Sequence, residues 1–263
     1  MNPSPHPAVL TAGQATQDLA TQDHASPDLP SFCIVLPVYN EAAEIVRCVE
    51  RIAEFLAQVP TRTGIVAVDD GSRDDSLALL TGLQSRIGGL IVHSHERNGG
   101  YGAANRTGGR LAAEQGFEYA LVMDADGTQD PKFIANFFEP MRRRIDFIKA
   151  TRYALGGGVQ GVPWQRRAVS AIGNRLARVA MGTPLTDFTN GFRAIRTDLW
   201  KRLATTETSF AMLVEEVHLA RRLGATFGEV PYTLTVRSEP GSASKFVYSW
   251  RVYRTYLRYV FAK

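Results

Sequence analysis

Two aspartates separated by one residue, Asp124 and Asp126, are the side chains in this sequence best suited to metal chemistry. They directly follow the apolar run 119–123 (YALVM), which has the composition of a buried strand. Residues two apart in an extended chain point to the same side, so the two carboxylates would face one ligand. Mg²⁺ and Mn²⁺ prefer oxygen ligands and commonly bridge substrate phosphates. A solvated turn is the alternative interpretation, and the position directly after a strand favours the cation site.

Three further polar segments follow apolar runs in the first half of the chain. They are 37–41 (PVYNE), 68–72 (VDDGS) and 98–105 (NGGYGAAN). Between the runs, apolar residues recur at helical spacing, most clearly in 45–56. This alternation predicts an α/β fold of the Rossmann-like, doubly wound type, with a mostly parallel sheet and helices on both faces. The polar segments would then share the crevice at the carboxyl ends of the strands.

The second half of the chain is less regular, but it continues the same alternation. We expect strands at 147–150, 191–195 and 227–236 and a helix at 212–223. A further helix is marked by an apolar stripe of Val169, Ile172, Leu176 and Val179, with several arginines around it.

The composition suits one large domain, since 44% of the 263 residues are hydrophobic and 21% are charged. Residues 1–30 are rich in Pro, Thr, Gln and Ala, which predicts a disordered tail before a domain at 31–245. No Lys or Arg precedes Arg47, so the basic region of a signal peptide is missing. No stretch approaches the roughly 18 apolar residues of a membrane span.

The two cysteines, Cys33 and Cys48, lack the C-x-x-C spacing of a redox or zinc site. One opens an apolar run and the other lies in a helical pattern, so we expect both to be buried thiols. Such thiols fit a reducing, cytoplasmic compartment.

The C-terminal segment 246–263 combines an aromatic stripe with arginines. Residues 237–263 hold six basic residues and one acidic residue, a net charge of +5. The stripe consists of Phe246, Trp250, Tyr253, Leu257 and Phe261, beside Arg251, Arg254 and Arg258. This pattern predicts an amphipathic helix at a membrane surface, with the protein peripheral at the cytoplasmic face. A terminal helix packed on the core is the alternative.

Taken together, the ordered motifs resemble the inverting GT-A glycosyltransferases. More narrowly, they resemble the dolichyl-phosphate mannosyltransferases and the bacterial polyprenyl-phosphate glycosyltransferases. The similarity continues through 151–153 (TRY), 187–193 (DFTNGFR), 228–231 (GEVP) and 237–245, and it covers roughly residues 32 to 246. Many members of this group carry transmembrane helices after the catalytic domain. This chain stops at Lys263, so it is naturally short, truncated, or held by a small membrane-anchoring partner protein.

The resemblance implies roles for individual residues. The donor would be bound by Pro37, Tyr39, Glu41, Asp70, Asn98 and Asp124. The metal ligands would be Asp124, Asp126 and Gln129, with Thr128 at the position where relatives often carry Gln. Phosphate and acceptor would contact Arg152, Asn190, Arg193, Arg237, Ser244 and Lys245. The planar fork of Arg suits phosphate, although a surface salt bridge is the alternative for each arginine.

The activity that the resemblance implies is transfer of one sugar, mannose or glucose, from a GDP- or UDP-sugar to a polyprenyl or dolichyl phosphate. Asp124 and Asp126, with Mg²⁺ or Mn²⁺ and Arg193, would stabilise the departing nucleoside diphosphate. A lipid phosphate is already an anionic nucleophile and needs no base. A hydroxyl acceptor would need one, for which Glu215 or Glu216 is the candidate.

Three other functions compete with this one. Transfer to a saccharide or other hydroxyl is the first. A nucleotidyltransferase usually has a Gly-rich loop with Lys or Arg after the first strand, and 37–41 is not such a loop. Nucleic-acid binding is disfavoured because the basic and aromatic residues are confined to one terminal segment.

Overall fold

The structure, a computed structural model, describes residues 28–159, 164–235 and 250–262, without the side chains of 164–169 and 250–253. Residues 1–27 of the predicted tail therefore lie outside the described residues. So do the predicted acceptor-binding residues Arg237, Ser244 and Lys245. Leu29 is already buried in the core, which is earlier than the predicted domain boundary at residue 31.

Nine strands and eight α-helices alternate along the described chain. The strands are β1 Phe32–Val38, β2 Thr63–Asp69, β3 Leu90–Ser94, β4 Tyr119–Val122, β5 Phe147–Thr151, β6 Gly158–Val159, β7 Arg193–Arg196, β8 Phe227–Pro231 and β9 Thr233–Leu234. The helices are α1 Ile45–Leu56, α2 Ser76–Gln84, α3 Tyr101–Glu114, α4 Phe138–Arg142, α5 Trp164–Met181, α6 Thr197–Trp200, α7 Met212–Arg222 and α8 Trp250–Phe261. A 3₁₀ helix, Pro131–Phe137, precedes α4.

Seven strands form the central sheet in the order β3-β2-β1-β4-β7-β5-β8. The first four are parallel to one another, and β7 runs antiparallel to both β4 and β5. Strands β6 and β9 form a separate parallel pair. The predicted α/β fold with a mostly parallel sheet is confirmed, and β7 is the exception.

The core has two layers because the side chains of each strand alternate between the faces of the sheet. In β1, Ile34 and Leu36 pack against α1 and α2 on one face, whereas Cys33 and Val35 pack on the α3 and α7 face. Burial on both faces explains why the strand is apolar throughout. Cys33 and Cys48 are free and buried, as predicted, and burial raises the pKa of the Cys48 thiol to about 12. Neither thiol is a reactive thiolate near neutral pH.

The helices of the described chain include none that is both long and apolar enough to cross a lipid bilayer. Helix α8 lies inside the segment for which the sequence predicts a terminal helix. Its Val260 is buried, and Tyr256 and Tyr259 pack against the same core layer.

Helix α3 lies close to its neighbours because two of its glycines face them. A Cβ atom on Gly108 would lie 2.3 Å from Val35 Cγ1, and one on Gly109 would lie 1.9 Å from the Trp200 ring. The helix therefore approaches both β1 and α6 more closely than an alanine would allow. This packing holds the second half of α3 against the sheet and α6.

We expect Gly109→Ala to lower the free energy of unfolding by about 1–3 kcal/mol, because the added methyl overpacks the contact with Trp200. Gly82→Ala is the matched control, since it is also helical but nothing lies near its Cβ position. That change should stabilise by up to about 1 kcal/mol through helix propensity. Urea unfolding measures both variants. Equal stability of Gly109→Ala and the unmodified chain would contradict the close packing.

Candidate active site

The loop after β4 carries the acid pair, and hydrogen bonds hold each carboxylate. Gln129 binds Asp124 twice: its Oε1 accepts from the Asp124 N–H at 3.0 Å, and its Nε2 donates to Asp124 Oδ2 at 2.7 Å. Asp126 Oδ1 accepts from the N–H and the hydroxyl of Thr128, at 3.1 and 2.6 Å. Gly127, with φ at 73°, makes the turn between Asp126 and Thr128. The loop therefore presents both carboxylates in fixed positions.

This arrangement bears on the predicted role of Gln129 as a third metal ligand. Its amide oxygen, the atom that would bind a cation, contacts the Asp124 N–H instead, so in this structure Gln129 orients Asp124. No cluster of three or more His, Cys, Asp or Glu side chains suited to a cation occurs among the described residues. Two carboxylates are nevertheless the hard oxygen donors that Mg²⁺ or Mn²⁺ takes when substrate phosphates and water complete its shell. The residues present thus fit such an ion.

Of the predicted donor-binding residues, Pro37 lies in β1 and Asp124 in the loop after β4, and the others lie on the loops that follow β1, β2 and β3. The first two loops are joined by side chains: the Asn40 N–H donates to Ser72 Oγ at 2.9 Å, and the Glu41 N–H donates to Ser76 Oγ at 2.8 Å. The second and third loops touch at Gly71, where a Cβ would lie 2.7 Å from the Asn98 nitrogen. The three loops form one continuous rim along the sheet edge.

Asp70 supports this rim from inside. Its carboxylate accepts from the N–H groups of Gly99 and Gly100, at 2.9 and 2.8 Å, and lies 2.7 Å from His95 Nδ1. Asp70 is buried, so it organises the loop before α3, whereas the predicted donor residue Asn98 is exposed. The neighbouring Asp69, for which the sequence predicted no role, buries an Oδ1 atom that has no hydrogen-bond partner.

A second group of polar residues gathers around the loop 186–191. Arg152 forms a two-point ion pair with Asp187, at 2.7 and 2.9 Å, and also donates to Thr189 Oγ1 at 2.9 Å. Asn190 is buried: its Nδ2 donates to the Ala150 carbonyl at 2.6 Å, and its Oδ1 accepts from the Tyr232 hydroxyl at 3.0 Å. These contacts brace the loop against β5 and β8.

The two groups meet at Gly191. A Cβ atom there would lie 2.7 Å from the Tyr101 hydroxyl and 3.0 Å from Asp124 Oδ1, so only a glycine allows the loop to come this close. The ring of Tyr101 stacks on Phe210 with centroids 4.3 Å apart. The structure therefore brings Asp124, the start of α3 and the loop 186–191 together at one edge of the sheet.

The surroundings of Arg193 differ from those expected of a phosphate ligand, the role predicted for it. The side chain is fully buried, and its Nε and Nη2 donate to the two carboxylate oxygens of Glu216 at 2.6 and 2.7 Å. Its remaining bonds go to the Gly191 carbonyl at 2.8 Å and to Asn105 Oδ1 at 3.2 Å. In this structure Arg193 lies beneath the site and crosslinks β7, α3 and α7.

Neither glutamate predicted as a candidate base is available for that role here. Glu216 is engaged by Arg193, and Glu215 is buried. Glu215 accepts from the N–H and hydroxyl of Thr206, each at 2.9 Å, from the Glu207 N–H at 2.9 Å and from the Tyr259 hydroxyl at 3.0 Å. It therefore fixes the loop before α7.

Lys149 is a functional-site neighbour that sequence reasoning missed. It is fully buried in β5, and its Nζ donates to the Asn190 carbonyl at 2.6 Å. Burial, and then the nearby Arg193 charge, lower its pKa to about 7. A lysine inside the apolar run 147–150 was the signal that could have identified it.

We expect Arg193→Met to cost about 3–5 kcal/mol of stability, because it leaves the Glu216 carboxylate buried without its partner. Combining it with Glu216→Leu should restore most of that loss. Thermal and urea unfolding of the three variants measure this. A stable Arg193→Met protein with weakened phosphate binding alone would instead support the phosphate role.

Lys149 predicts a pH dependence of stability. The unfolded lysine keeps its proton up to its ordinary pKa of 10.5, whereas the folded one releases it above about 7. The unfolded state then holds more protons between these values, so stability should rise with pH across this window. Between about pH 7 and pH 9, the free energy of unfolding of the unmodified chain should rise relative to that of the Lys149→Met variant. Parallel curves for the two proteins would contradict the lowered pKa.

The sequence is similar to those of known glycosyltransferases. The sequence model of glycosyl transferase family 2 matches residues 33–203. The chain is 28% identical over 208 residues to polyprenol monophosphomannose synthase of Mycolicibacterium smegmatis, covering 78% of this chain and 77% of that protein. It is 27% identical over 206 residues to undecaprenyl-phosphate mannosyltransferase of Micrococcus luteus, covering 77% and 83%.

A solved structure supports the fold. Glucosyl-3-phosphoglycerate synthase of Mycobacterium tuberculosis, in complex with Mn²⁺, UDP-glucose and phosphoglyceric acid, superposes with a TM-score of 0.62 at 21% identity. The match covers 88% of this chain and 80% of that one. The predicted GT-A-like fold is confirmed by this likeness together with the mostly parallel sheet.

Proposed function

The chain belongs to glycosyl transferase family 2, and from that premise we propose that it transfers one sugar from a nucleotide-sugar donor to a polyprenyl phosphate. The observation that carries the proposal is the meeting of Asp124 with the loop 186–191 at Gly191. It joins the donor-side rim to the polar group around Arg152 and Asn190. A donor and an anionic acceptor would thus share one edge of the sheet.

Asp124 and Asp126 would hold Mg²⁺ or Mn²⁺, with Gln129 and Thr128 orienting the two carboxylates. When bound, such an ion neutralises the charge that develops on a departing nucleoside diphosphate. The Mn²⁺ and UDP-glucose in the similar solved structure support this assignment.

The nucleotide would lie along the rim formed by the loops after β1, β2 and β3, where Pro37, Tyr39, Glu41 and Asn98 are partly or fully exposed. The unpartnered Asp69 Oδ1 supports this placement, because a buried carboxylate oxygen is costly unless a donor group reaches it. An N–H or O–H of the nucleoside would supply that donor. Mannose is favoured as the sugar because both relatives are named for mannose transfer, and glucose is the second candidate.

The two glutamates Glu215 and Glu216 distinguish between the possible acceptors. A hydroxyl acceptor needs a base to take its proton, whereas a lipid phosphate is already an anion. Glu215 and Glu216 are both occupied by other partners, which favours the phosphate. The names of both relatives, which specify polyprenol and undecaprenyl phosphate chemistry, favour it too.

Cationic residues for that phosphate come from two segments. Arg152 is held by Asp187 beside Asn190. The second segment begins at Thr235, whose N–H and hydroxyl donate to the Thr128 carbonyl at 3.2 and 2.9 Å. Arg237 follows two residues later in the sequence. We propose Arg237, Ser244 and Lys245, which lie outside the described residues, as further acceptor residues at the cytoplasmic face of the membrane.

We expect Asp124→Asn and Asp126→Asn each to reduce transfer at least about 100-fold, because each removes a charged ligand from the ion that stabilises the leaving group. Excess EDTA should abolish transfer, and Mg²⁺ or Mn²⁺ should restore it. The assay offers GDP-mannose, UDP-glucose or UDP-N-acetylglucosamine with polyprenyl phosphate and follows the glycolipid.

Asp130→Asn is the matched control, since Asp130 lies in the same loop but accepts from the Lys132 N–H and pairs with Arg51. It should keep most of the activity. Full transfer by either of the first two variants, or in excess EDTA, would rule out the metal assignment. Glycosylation of a free hydroxyl in preference to the lipid phosphate would rule out the acceptor.

A further inference from the structure

The first turns of helix α3 pack against the loop 206–210, which lies between α6 and α7. The Gly102 N–H donates to the Thr208 carbonyl at 2.8 Å, and the Arg106 guanidinium donates to the Glu207 carbonyl at 2.7 Å. A Cβ atom on Gly102 would lie 2.1 Å from that Glu207 oxygen, so the two backbones are in direct contact. The position of the loop therefore determines the position of the start of α3.

The start of α3 carries Tyr101, which lies beside the acid pair. Its hydroxyl and Asp124 Oδ1 both lie within 3.0 Å of the position that a Cβ atom on Gly191 would occupy. Its ring stacks on Phe210 of the loop, with centroids 4.3 Å apart. The hydroxyl oxygen is buried and has no hydrogen-bond partner among the described residues, and the nearby Arg193 directs its hydrogen bonds to other groups. Buried hydroxyls are normally paired, so a bound substrate oxygen would supply the missing partner.

Helix α8 and Glu215 of α7 hold the other side of this loop. The Tyr256 hydroxyl donates to the Phe210 carbonyl at 3.2 Å. The Tyr259 hydroxyl lies between two carboxylates, 3.0 Å from Glu215 Oε1 and 3.2 Å from Glu207 Oε1. Glu215 also accepts from two backbone N–H groups of the loop, each at 2.9 Å. A continuous chain of contacts thus runs from α8 through the loop to Tyr101.

We propose that Glu215 and the α8 tyrosines Tyr256 and Tyr259 are positioning residues for sugar transfer, which act by holding Tyr101 beside Asp124. Tyr101 donates its hydroxyl hydrogen to an oxygen of the departing nucleoside diphosphate, and this hydrogen bond strengthens as negative charge develops there. The proposal rests on the proposed function, which places the leaving group at Asp124. Glu215 therefore acts through the loop, and not as the general base that the sequence suggested.

An amide in place of the Glu215 carboxylate separates a positioning role from a base. Glu215→Gln keeps an oxygen that accepts from the Thr206 N–H, but it cannot take a proton from an acceptor. Loss of a general base would lower kcat at least about 100-fold. Under our proposal Glu215→Gln should stay within about tenfold of the unmodified chain, whereas Glu215→Leu, which removes every acceptor atom, should lose at least about 100-fold through misplacement of Tyr101.

Phenylalanine variants remove single hydroxyls and keep the packed rings. Tyr101→Phe should lower kcat about 100-fold, because it removes a donor to the developing charge. Tyr256→Phe and Tyr259→Phe should each lower kcat about tenfold by loosening the loop. The KM for the nucleotide sugar should change less than about twofold in all three, because an interaction made only in the transition state affects kcat.

Tyr119→Phe is the matched control. The Tyr119 hydroxyl donates to the Ile145 carbonyl at 2.8 Å, and Tyr119 begins β4, at the opposite end of that strand from the acid pair. This variant loses a comparable hydrogen bond and should keep its kcat within about twofold. A melting curve for every variant confirms that the chain is folded at the assay temperature.

Hydrogen exchange tests the position of the loop without any substrate. The Gly102 amide is protected by its bond to the Thr208 carbonyl. Its exchange should become at least about tenfold faster in Tyr256→Phe, Tyr259→Phe and Glu215→Leu, because the loop then opens more often. The exchange rate should be unchanged in Tyr119→Phe.

The proposal is overturned if Glu215→Gln loses transfer as completely as Glu215→Leu while Gly102 exchange in the Gln variant is unchanged, since that result identifies a base. It is also overturned if Tyr101→Phe transfers like the unmodified chain, or if the α8 variants alter neither kcat nor exchange. Failure of the proposed function looks different: the unmodified chain then forms no glycolipid. In that case Gly102 exchange still decides whether α8 holds the start of α3.

Discussion

The buried ion pair between Arg193 and Glu216 is the interaction on which the centre of this protein depends. Two charges without access to water are tolerable only when their hydrogen bonds are satisfied, and here Asn105 and the Gly191 carbonyl complete the set. The pair joins β7 to α3 and α7. Because Gly191 is two residues from Arg193, the same contact sets how closely the loop 186–191 approaches Asp124.

Adjacent residues of α7 connect this centre to the outside. Glu216 faces Arg193, and Glu215 faces the loop 206–210 and Tyr259 of α8. That loop in turn holds the start of α3, since the Thr208 carbonyl accepts from the Gly102 N–H at 2.8 Å. Two neighbouring carboxylates on one helix therefore link α8 to the N-terminal end of α3, beside Asp124. The acid pair after β4 and the basic helix α8 belong to one continuous framework.

Negative and positive charge are concentrated in different parts of the structure. The carboxyl edge of the sheet carries Asp124 and Asp126, which suit a cation shared with phosphates. Helices α5 and α8 together carry seven arginines and no acidic residue, so this positive charge lies apart from the acid pair. The network of Arg152 and Asp187 lies between these regions and contacts both the loop 186–191 and α5 through Tyr153 and Ser170.

The sequence alone determined the α/β alternation and the place of the acid pair after β4, because hydrophobic period and strand-end position are local properties. It also predicted both buried cysteines, since each lies in an apolar pattern. It could not show that Arg193 would meet Glu216. The local sequence around an arginine is the same whether its partner is a bound phosphate or a carboxylate 23 residues away. Nor could it show that the amide oxygen of Gln129 would accept a hydrogen bond from the Asp124 N–H. The stripe of Ile172, Leu176 and Val179 predicted a helix correctly, but a periodic stripe does not say what covers it. Only the packing of Asn174, Ala177 and Met181 against the core turned that stripe outwards, because one helix can bury only one of its two faces there.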